Sequence, residues 1–435
     1  MNIRMEGVRL RSFFFVGVLL IAGGVVYCTG KVWLAAYWAA SWDRDRLFRA
    51  AQWEPNSAMY WYRLGLYEKW NFEQHDLGRA VAYFERATEA NPRCDSCWMD
   101  LGDAYEANGQ PERAQEAFKR AQFVHPISSD VAWRYGNFLL RQRDYPGAFA
   151  KLHRALLSDP DLTVQALAEC SKTSNDLARI LSEVLPNQNR YYLIAMDYFL
   201  AQHQTDAAVT VWSQLVALKQ GVQMAEVVPL INELIAQRRA DDALHIWRQA
   251  LEVTSWPQGQ PDNSSALFNG GFEQDLLNGG FDWREDPISG AAFRSDHEVV
   301  HSGGSALRIS FDGSANLDFQ NLWQLCPVEP ARHYHFAAYV RLDEISTDSG
   351  IRFAIYDTFR SAALQILTPD LVGSRPWSLI EADFVTGPDT HLLTIALRRL
   401  PSWKFDNKLR GTVWVDDVSL VQVPGNLTEA VDDPH

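Results

Sequence analysis

An eight-residue pattern recurs in this chain at an interval of 34 residues. The first copy consists of large and small apolar residues followed by a proline: Trp98, Leu101, Gly102, Tyr105, Ala114, Phe118, Ala121 and Pro126. The second copy has the same spacing: Ala132, Tyr135, Gly136, Leu139, Ala148, Leu152, Ala155 and Pro160. A period of roughly 20–50 residues predicts stacked supersecondary units, none of which buries its apolar face alone.

The period and the pattern resemble the tetratricopeptide repeat, a helix–turn–helix unit that stacks into a solenoid. A third match lies upstream, with residues inserted around Gln74–Asp76: Trp61, Leu64, Gly65, Ala80, Phe84, Ala87 and Pro92. Weaker matches follow downstream at Ala208, Trp212, Leu215, Ala243, Trp247 and Ala250. We predict a solenoid of about six helical hairpins over residues 43–255. The resemblance implies a protein partner in the groove formed by the first helices.

The N-terminal segment is apolar enough to cross a bilayer. Residues 12–30 carry no charged side chain, and their 19 residues approach the ~20 that a spanning helix needs. Aromatic residues follow, as at a membrane interface: Trp33, Tyr37, Trp38 and Trp42. We predict a cytoplasmic tail at 1–11, because Arg4, Arg9 and Arg11 precede the span, and an uncleaved anchor with its interfacial segment at 12–40. A cleaved signal peptide is the alternative.

The five cysteines do not form a disulfide framework. Cys94 and Cys97 form a CxxC at the start of a predicted helix, where thiol pKa values fall. Three interpretations stay open for this pair, namely a redox site, a chance pair and a local disulfide. A second CxxC that would complete a zinc site is absent from the sequence.

Helical periodicity stops near Thr254, and the Pro-, Gly- and Ser-rich residues 256–268 read as a linker. Short alternating segments bounded by turn residues follow, at 306–311, 317–325, 333–342, 350–357, 377–385, 391–398 and 412–423. This pattern predicts an all-β sandwich or jelly roll over residues 269–424. Residues 425–435 form an acidic tail. The whole chain is therefore predicted to be multidomain, with an anchor helix, an all-α solenoid and an all-β sandwich.

The second domain resembles the jelly-roll carbohydrate-binding modules of galactose-binding-like fold. The resemblance lies in the order of its motifs: NGGFE at 269–273, Trp283, HSGGSALRIS from His301, the segment from Trp323, and WVDDVSL at 414–420. In that family a structural calcium often joins the first strand to the last. The resemblance implies that Glu273 and either Asp416 or Asp417 supply carboxylate oxygens. Strict alternation places Asp416 and Asp417 on opposite faces, so the choice between them stays open.

The resemblance also implies a glycan ligand, held by aromatic rings and neighbouring polar groups. The candidate residues are Trp323 with Gln324, Arg352 with Tyr356, and Trp403 in the loop RLPSWKFDNK. Each tryptophan could instead have a purely structural role. Trp323 would then occupy a core or edge position, and Trp403 would cover the end of the sandwich. Loops at the ends of a rigid scaffold often carry binding residues, which favours exposure of Trp403.

Other function classes are disfavoured. The formal charge of −14, from 54 acidic and 40 basic residues, disfavours nucleic acid, because phosphate binding needs a basic surface. The sequence lacks G-x-S-x-G, H-E-x-x-H, P-loop and Rossmann motifs. His333 and His335 share a predicted strand face without an identifiable third metal ligand.

The sequence thus favours a non-catalytic protein of a bacterial cytoplasmic membrane, with the bulk of the chain periplasmic or extracellular. Its solenoid would scaffold a protein partner, and its sandwich would bind a glycan in polysaccharide assembly or export. The alternative is a pure assembly scaffold whose sandwich contacts protein. A glycan-active enzyme is less favoured.

Overall fold

A computed structural model of the chain describes residues 8–71, 76–254 and 265–424, with the backbone alone for residues 8–11. Several predicted segments lie outside the described residues, namely residues 1–7 of the N-terminal tail, the inserted residues 72–75, residues 255–264 around the linker, and the acidic tail 425–435.

The N-terminal part of the chain is helical. The helices are α1 (Val8–Ala39), α2 (Arg44–Trp53), α3 (Ala58–Trp70), α4 (Leu77–Ala90), α5 (Asp95–Ala107), α6 (Pro111–Val124), α7 (Ser129–Arg141), α8 (Tyr145–Ser158), α9 (Thr163–Thr173), α10 (Leu177–Val184), α11 (Asn189–Ala201), α12 (Thr205–Ala217), α13 (Met224–Ala236) and α14 (Ala240–Val253), with a 3-10 turn at Pro160–Leu162. Helices α3–α14 form consecutive pairs, which confirms the predicted six hairpins among the described residues.

The small residues of the repeat allow the paired helices to approach closely. A Cβ atom placed on Gly65 would lie 2.5 Å from the Phe84 ring, and one on Gly102 would lie 2.9 Å from the Phe118 ring. Both rings are completely buried. The glycines and the rings therefore form one packing motif within each hairpin.

Helix α1 ends inside the packing of the solenoid. Ala35 and Ala39 of α1 are buried in one apolar cluster with Leu47 and Ala50 of α2 and Trp61 of α3. Arg63 donates a hydrogen bond to the Ala39 carbonyl, with an N–O distance of 2.5 Å. The last turns of α1 thus belong to the solenoid core.

The C-terminal part is a sandwich of two five-stranded antiparallel sheets. Its strands are β1 (Arg284–Glu285), β2 (Ala291–Asp296), β3 (Ala306–Asp312), β4 (Phe319–Pro327), β5 (His333–Ser346), β6 (Arg352–Asp357), β7 (Gln365–Leu367), β8 (Gly373–Val385), β9 (Leu392–Arg399) and β10 (Arg410–Gln422). One sheet has the order β1-β4-β9-β6-β7 and the other β2-β3-β10-β5-β8. All seven predicted strands are present.

The core of the sandwich follows from side-chain alternation. Along β5, Tyr334, Phe336, Ala338 and Val340 are buried, while the alternate residues between them are half-buried. They share one apolar cluster with Phe353 of β6 and Leu397 of β9. Period-two burial is what a sheet with one face on the core requires.

The contacts divide the chain into two compact units, Met1–Pro186 and Asn187–His435. Helices α11–α14 therefore group with the sandwich, although the sequence places the domain boundary at 256–268. The sandwich also begins before the predicted Asn269, because Ser265 pairs with Val421 of the last strand.

A second NGGF sequence, at 278–281, explains this grouping. Trp247 of α14 packs edge-on against Phe268 and Phe281, with ring centroids 5.3 and 5.8 Å apart. A Cβ on Gly280 would lie 2.4 Å from Trp247, and Gly280 has a φ of +58°. The first NGGF approaches β10 instead, since a Cβ on Gly270 would lie 1.9 Å from the Val418 carbonyl oxygen.

Candidate functional site

Three of the predicted sugar-binding residues share the outer face of the sheet β1-β4-β9-β6-β7. Trp323 of β4 is aligned with Ala396 of β9, and Ala396 with Ala354 of β6. Arg352 and Tyr356 lie two residues on either side of Ala354, hence on the same face. Ala396 and Ala354 form a buried floor of small residues between Trp323 and β6, about 10 Å wide at two strand spacings. The two alanines are 0% and 4% exposed, because the surrounding side chains cover them.

Polar groups hold the side chains around this floor. Trp323 Nε1 donates to Asp286 Oδ2 at 2.7 Å, and the Arg284 guanidinium lies 4.6 Å from the Trp323 ring centroid. Burial lowers the pKa of Arg284 to about 10. Arg352 forms an ion pair with Asp370 at 3.1 Å. We call these residues, with the alanine floor, the outer-face groove.

The glutamine beside Trp323 that faces the groove is Gln320, whereas the sequence predicts Gln324. Gln324 is completely buried, and its amide donates to the Phe268 carbonyl at 2.7 Å, so it is closed to a ligand. Gln320 instead reaches the groove and donates to the Tyr356 hydroxyl oxygen at 2.6 Å. A register shift between Phe319 and Leu322 turns Gln320 outward, and sequence alternation carries no signal for such a bulge.

Trp403 lies on the surface, as expected, in the loop between β9 and β10. Its side chain is fully exposed, and so is that of Phe405, which the sequence analysis missed. The base of the loop is well held, because Arg399 donates to the Asn407 carbonyl at 2.6 Å and Ser402 donates to Asp348 at 2.8 Å. Two aromatic rings thus project from a fixed loop.

The three predicted calcium ligands come from the first and last segments of the sandwich domain and lie close together. A Cβ on Gly271 would lie 3.8 Å from an Oδ1 atom of Asp416 and of Asp417 and from Glu273 Cγ. Asp417 has a φ of +47°, and the register with β5 shifts between Asp416 and Ser419. The expected alternation is therefore broken, and both aspartates reach the same loop.

That loop, residues 301–304, donates hydrogen bonds to all three carboxylates. Asp416 Oδ2 accepts from the backbone N–H groups of His301 and Ser302 at 2.8 and 3.2 Å. Asp417 contacts the His301 ring at 2.5 Å, and Glu273 accepts from the Gly304 N–H at 2.9 Å. Burial raises the pKa of Asp416, although these N–H groups oppose the rise. We call Glu273, Asp416 and Asp417 the acidic cluster.

The donor set of the acidic cluster suits calcium, which prefers carboxylate oxygens. None of the three forms an ion pair with a lysine or arginine within the described ranges. Most of their oxygens already accept hydrogen bonds, however, and the described part of the chain has no group of three or more His, Cys, Asp or Glu side chains arranged around a metal position. As placed, the cluster ties the first NGGF and the 301–304 loop to β10.

The first helices of three solenoid hairpins are linked by charged side chains that the sequence analysis did not identify. Asp100 of α5 accepts from Tyr62 and Lys69 of α3 at 2.7 and 3.0 Å, and from Arg134 of α7 at 2.9 Å. Burial raises the pKa of Asp100, but Lys69 and Arg134 outweigh it and hold that pKa below its ordinary value. Arg134 also bonds to Asp103. We call these residues the charged ladder.

The CxxC forms a disulfide between Cys94 and Cys97. This agrees with one of the three interpretations of the pair. Cys94 is the N-cap of α5, where its sulfur accepts from the Cys97 N–H.

One described helix segment, Ser12–Ala39, is long and apolar enough to cross a membrane. None of its most apolar window is buried. Its length and composition fit a membrane span or a signal sequence equally.

Comparison with known proteins supports the repeat assignment. Residues 72–114 and 99–162 match the family model of the tetratricopeptide repeat. No curated protein matches the chain.

Solved structures resemble separate parts of the chain at low identity. The TPR protein YrrB, described as having an unusual peptide-binding site, is 14% identical with a TM-score of 0.26 over 51% of this chain and 95% of its own. A structure described as CBM4 structure and function is 17% identical with a TM-score of 0.27 over 36% of this chain and 99% of its own. The enzymatically active domain of tailspike protein 4 of bacteriophage CBA120 is 10% identical, with a TM-score of 0.27. The match covers 37% of this chain and 22% of the tailspike chain.

Proposed function

We propose that this chain is a non-catalytic, membrane-anchored protein of a bacterial envelope that binds a protein through its solenoid and a glycan through its sandwich. Tetratricopeptide repeats serve protein interaction, and the sandwich resembles carbohydrate-binding modules in the order of its motifs. A role in polysaccharide assembly or export joins these two activities with the anchor.

The outer-face groove carries the glycan proposal. It combines an aromatic ring on one side with a tyrosine hydroxyl, an amide and a guanidinium on the other, across a floor of two alanines. A sugar ring needs an apolar face to pack on and polar groups for its hydroxyls, because buried hydroxyls without partners cost free energy. Arg352 Nε is buried and has no hydrogen-bond partner among the described residues, which leaves one donor beside Tyr356 unpaired.

Topology and chemistry support export of the bulk of the chain. Arg9 and Arg11 precede the apolar helix, and cytoplasmic flanks are enriched in basic residues. Disulfides persist in oxidising compartments, which favours an extracytoplasmic position for Cys94 and Cys97.

The solenoid is proposed to hold its partner along the first helices of its hairpins. The charged ladder lies there, on α3, α5 and α7. Beside the ladder, Arg141 of α7 is exposed and pairs with Glu106 of α5 at 2.7 Å, and a partner that carries charged side chains would exchange ion pairs with these two residues.

A glycan-array screen of the full-length protein in detergent tests the proposal. We expect binding that Trp323→Ala weakens and Trp377→Ala leaves unchanged, since Trp377 lies on the other sheet. Absence of glycan binding, with a protein recovered by crosslinking to the sandwich, would replace the glycan proposal with the assembly-scaffold alternative. Turnover of a bound polysaccharide would contradict the non-catalytic assignment.

A further inference from the structure

We propose that the turn between α2 and α3, from Trp53 to Met59, lies in the headgroup layer of the bilayer that α1 crosses. The first hairpin of the solenoid would then bind the lipid surface directly. This inference rests on the proposed membrane anchor, and it adds a second lipid contact that comes from the solenoid itself.

Helix α2 runs back along α1. Only residues 40–43 connect the two helices, and Ala35 and Ala39 pack in one cluster with Leu47 and Ala50. A connection this short between packed helices makes them antiparallel neighbours. The end of α2 therefore points toward the membrane-spanning part of α1.

A single contact sets the relative height of the two helices. The Arg49 guanidinium of α2 lies 5.0 Å from the Trp38 ring of α1. Both helices rise about 1.5 Å per residue. Because helical side chains tilt toward the N-terminus of their helix, the Arg49 backbone lies closer to the membrane than its guanidinium does. Trp53, four residues further along, therefore lies at the height of Leu34 or deeper.

That height corresponds to the edge of the bilayer. The uncharged residues 12–30 span about 28 Å as a helix, close to the ~30 Å of the hydrocarbon core. Trp33 and Tyr37 follow, exposed and stacked with ring centroids 5.9 Å apart. Tryptophan and tyrosine rings concentrate in the headgroup layer, so Trp53 is placed in that layer too.

The exposed side chains of the turn suit this position. Trp53 is 41% exposed and Met59 is 64% exposed, although each adjoins well-packed residues such as Ala51 and Tyr60. Glu54 is the only charged residue from Trp53 to Met59. Entry into the headgroup boundary stabilises apolar side chains around a turn of low charge. Continuity with the apolar surface of α1 makes lipid, rather than a protein, the occupant.

Depth-dependent quenching tests the inference in full-length protein reconstituted in nanodiscs. Cys28 is the exposed free cysteine of the described chain, whereas Cys170 and Cys326 are buried, so Cys28→Ser provides the background. An environment-sensitive fluorophore is attached at Met59→Cys. The matched controls are Leu20→Cys inside the span and Phe123→Cys, an equally apolar and exposed site on α6.

We expect doxyl groups near the headgroups to quench the label at position 59 at least about twofold more than at position 123, and deep doxyl groups to quench position 20. Quenching at position 20 with none at position 59 would overturn this inference and leave the anchor intact. Absence of quenching at position 20 would refute the anchor, and the inference with it.

Discussion

Trp403 and Phe405 are the most exposed large apolar residues in the described part of the chain. Because hydrogen bonds already hold the base of the loop, binding would have to fix mainly the side-chain rotamers of the two rings. We propose that these two rings, at one end of the sandwich, form a second glycan-contact region beside the proposed outer-face groove.

Trp403→Ala and Phe405→Ala are each expected to leave the unfolding midpoint unchanged, because neither ring is buried. Glycan affinity should fall by about 2- to 10-fold if the rings stack on sugar. Trp283→Ala is the control, since this completely buried ring should lower the stability by about 3–5 kcal/mol. A lower midpoint for Trp403→Ala with intact binding would contradict the assignment.

Asp282 is a buried acid at the second NGGF. Burial raises the pKa of Asp282 to about 6, above the ordinary value of 3.8. The folded chain therefore binds this proton more tightly than the unfolded chain does. Its contribution to stability is complete below pH 3.8 and is lost as the pH rises through about 6.

Asp282→Asn should remove this pH dependence, which amounts to at most about 3 kcal/mol. Chemical denaturation of both proteins from pH 4 to pH 7 measures it as the difference between the two stability curves. Parallel curves would mean that Asp282 stays ionised in the folded protein.

At the scale of the element, three solenoid hairpins depend on a glycine that faces an aromatic or aliphatic side chain of the second helix. A Cβ on Gly136 would lie 3.0 Å from Leu152, as those on Gly65 and Gly102 would approach phenylalanine. The same place in the pattern thus meets the same steric requirement in three hairpins.

Gly65→Ala is expected to destabilise the protein by about 1–3 kcal/mol, because the new methyl group would overlap the Phe84 ring. Gly78→Ala on α4 is the matched control, since its Cβ would meet only the Asp76 carboxylate at 3.4 Å. The control should be neutral or gain about 0.5 kcal/mol from the reduced freedom of the unfolded chain. Equal thermal midpoints for the two variants would show that the helices can separate to admit the methyl group.

Sequence periodicity predicted the hairpins and seven strands because their apolar spacing is long and regular. It missed β1, β2 and β7, because RE, AAFRSD and QIL are too short or too irregular to show alternation. Alternation also gave no sign of the outward position of Gln320 and predicted opposite faces for Asp416 and Asp417, for one shared reason. Each lies at a register shift, where period two fails without any warning from composition.

At the scale of the whole molecule, the acidic cluster connects the first segment of the sandwich domain, the 301–304 loop and the last strand. Three carboxylates are held there by backbone N–H groups and one histidine. Calcium at this position is a proposal, and its expected effect is a stability that depends on the free metal concentration.

The full-length protein should unfold at a higher temperature in calcium and at a lower one in chelator. A ligand at about 100 times its dissociation constant adds ~2.7 kcal/mol. Glu273→Gln and Asp417→Asn should each remove the shift, while Glu298→Gln, exposed and outside the cluster, should keep it. A calcium-independent midpoint in the unmutated protein would show that the cluster only holds these segments together by hydrogen bonds.

The second NGGF joins the last hairpin to the sandwich. Gly280→Ala would force alanine into a φ of +58° and place its Cβ 2.4 Å from Trp247. Gly373→Ala is the matched control, since Gly373 has a φ of +77° with nothing within 4 Å. Both should lose about 1–2 kcal/mol to backbone strain, and Gly280→Ala should lose more through the collision. Equal losses of stability for the two variants, measured by calorimetry, would show that the Trp247 ring can move aside.

The burial of Ala35 and Ala39 in the solenoid core has a mechanical consequence. A helix whose last turns are packed in a core moves with that core, so a tilt of α1 would be passed to α2 and α3, which pack against it. A tilt of α1 would swing the far end of the first unit through an arc that grows with its distance from α1. If α1 crosses a bilayer as proposed, the thickness and curvature of that bilayer would set the direction in which the first unit extends.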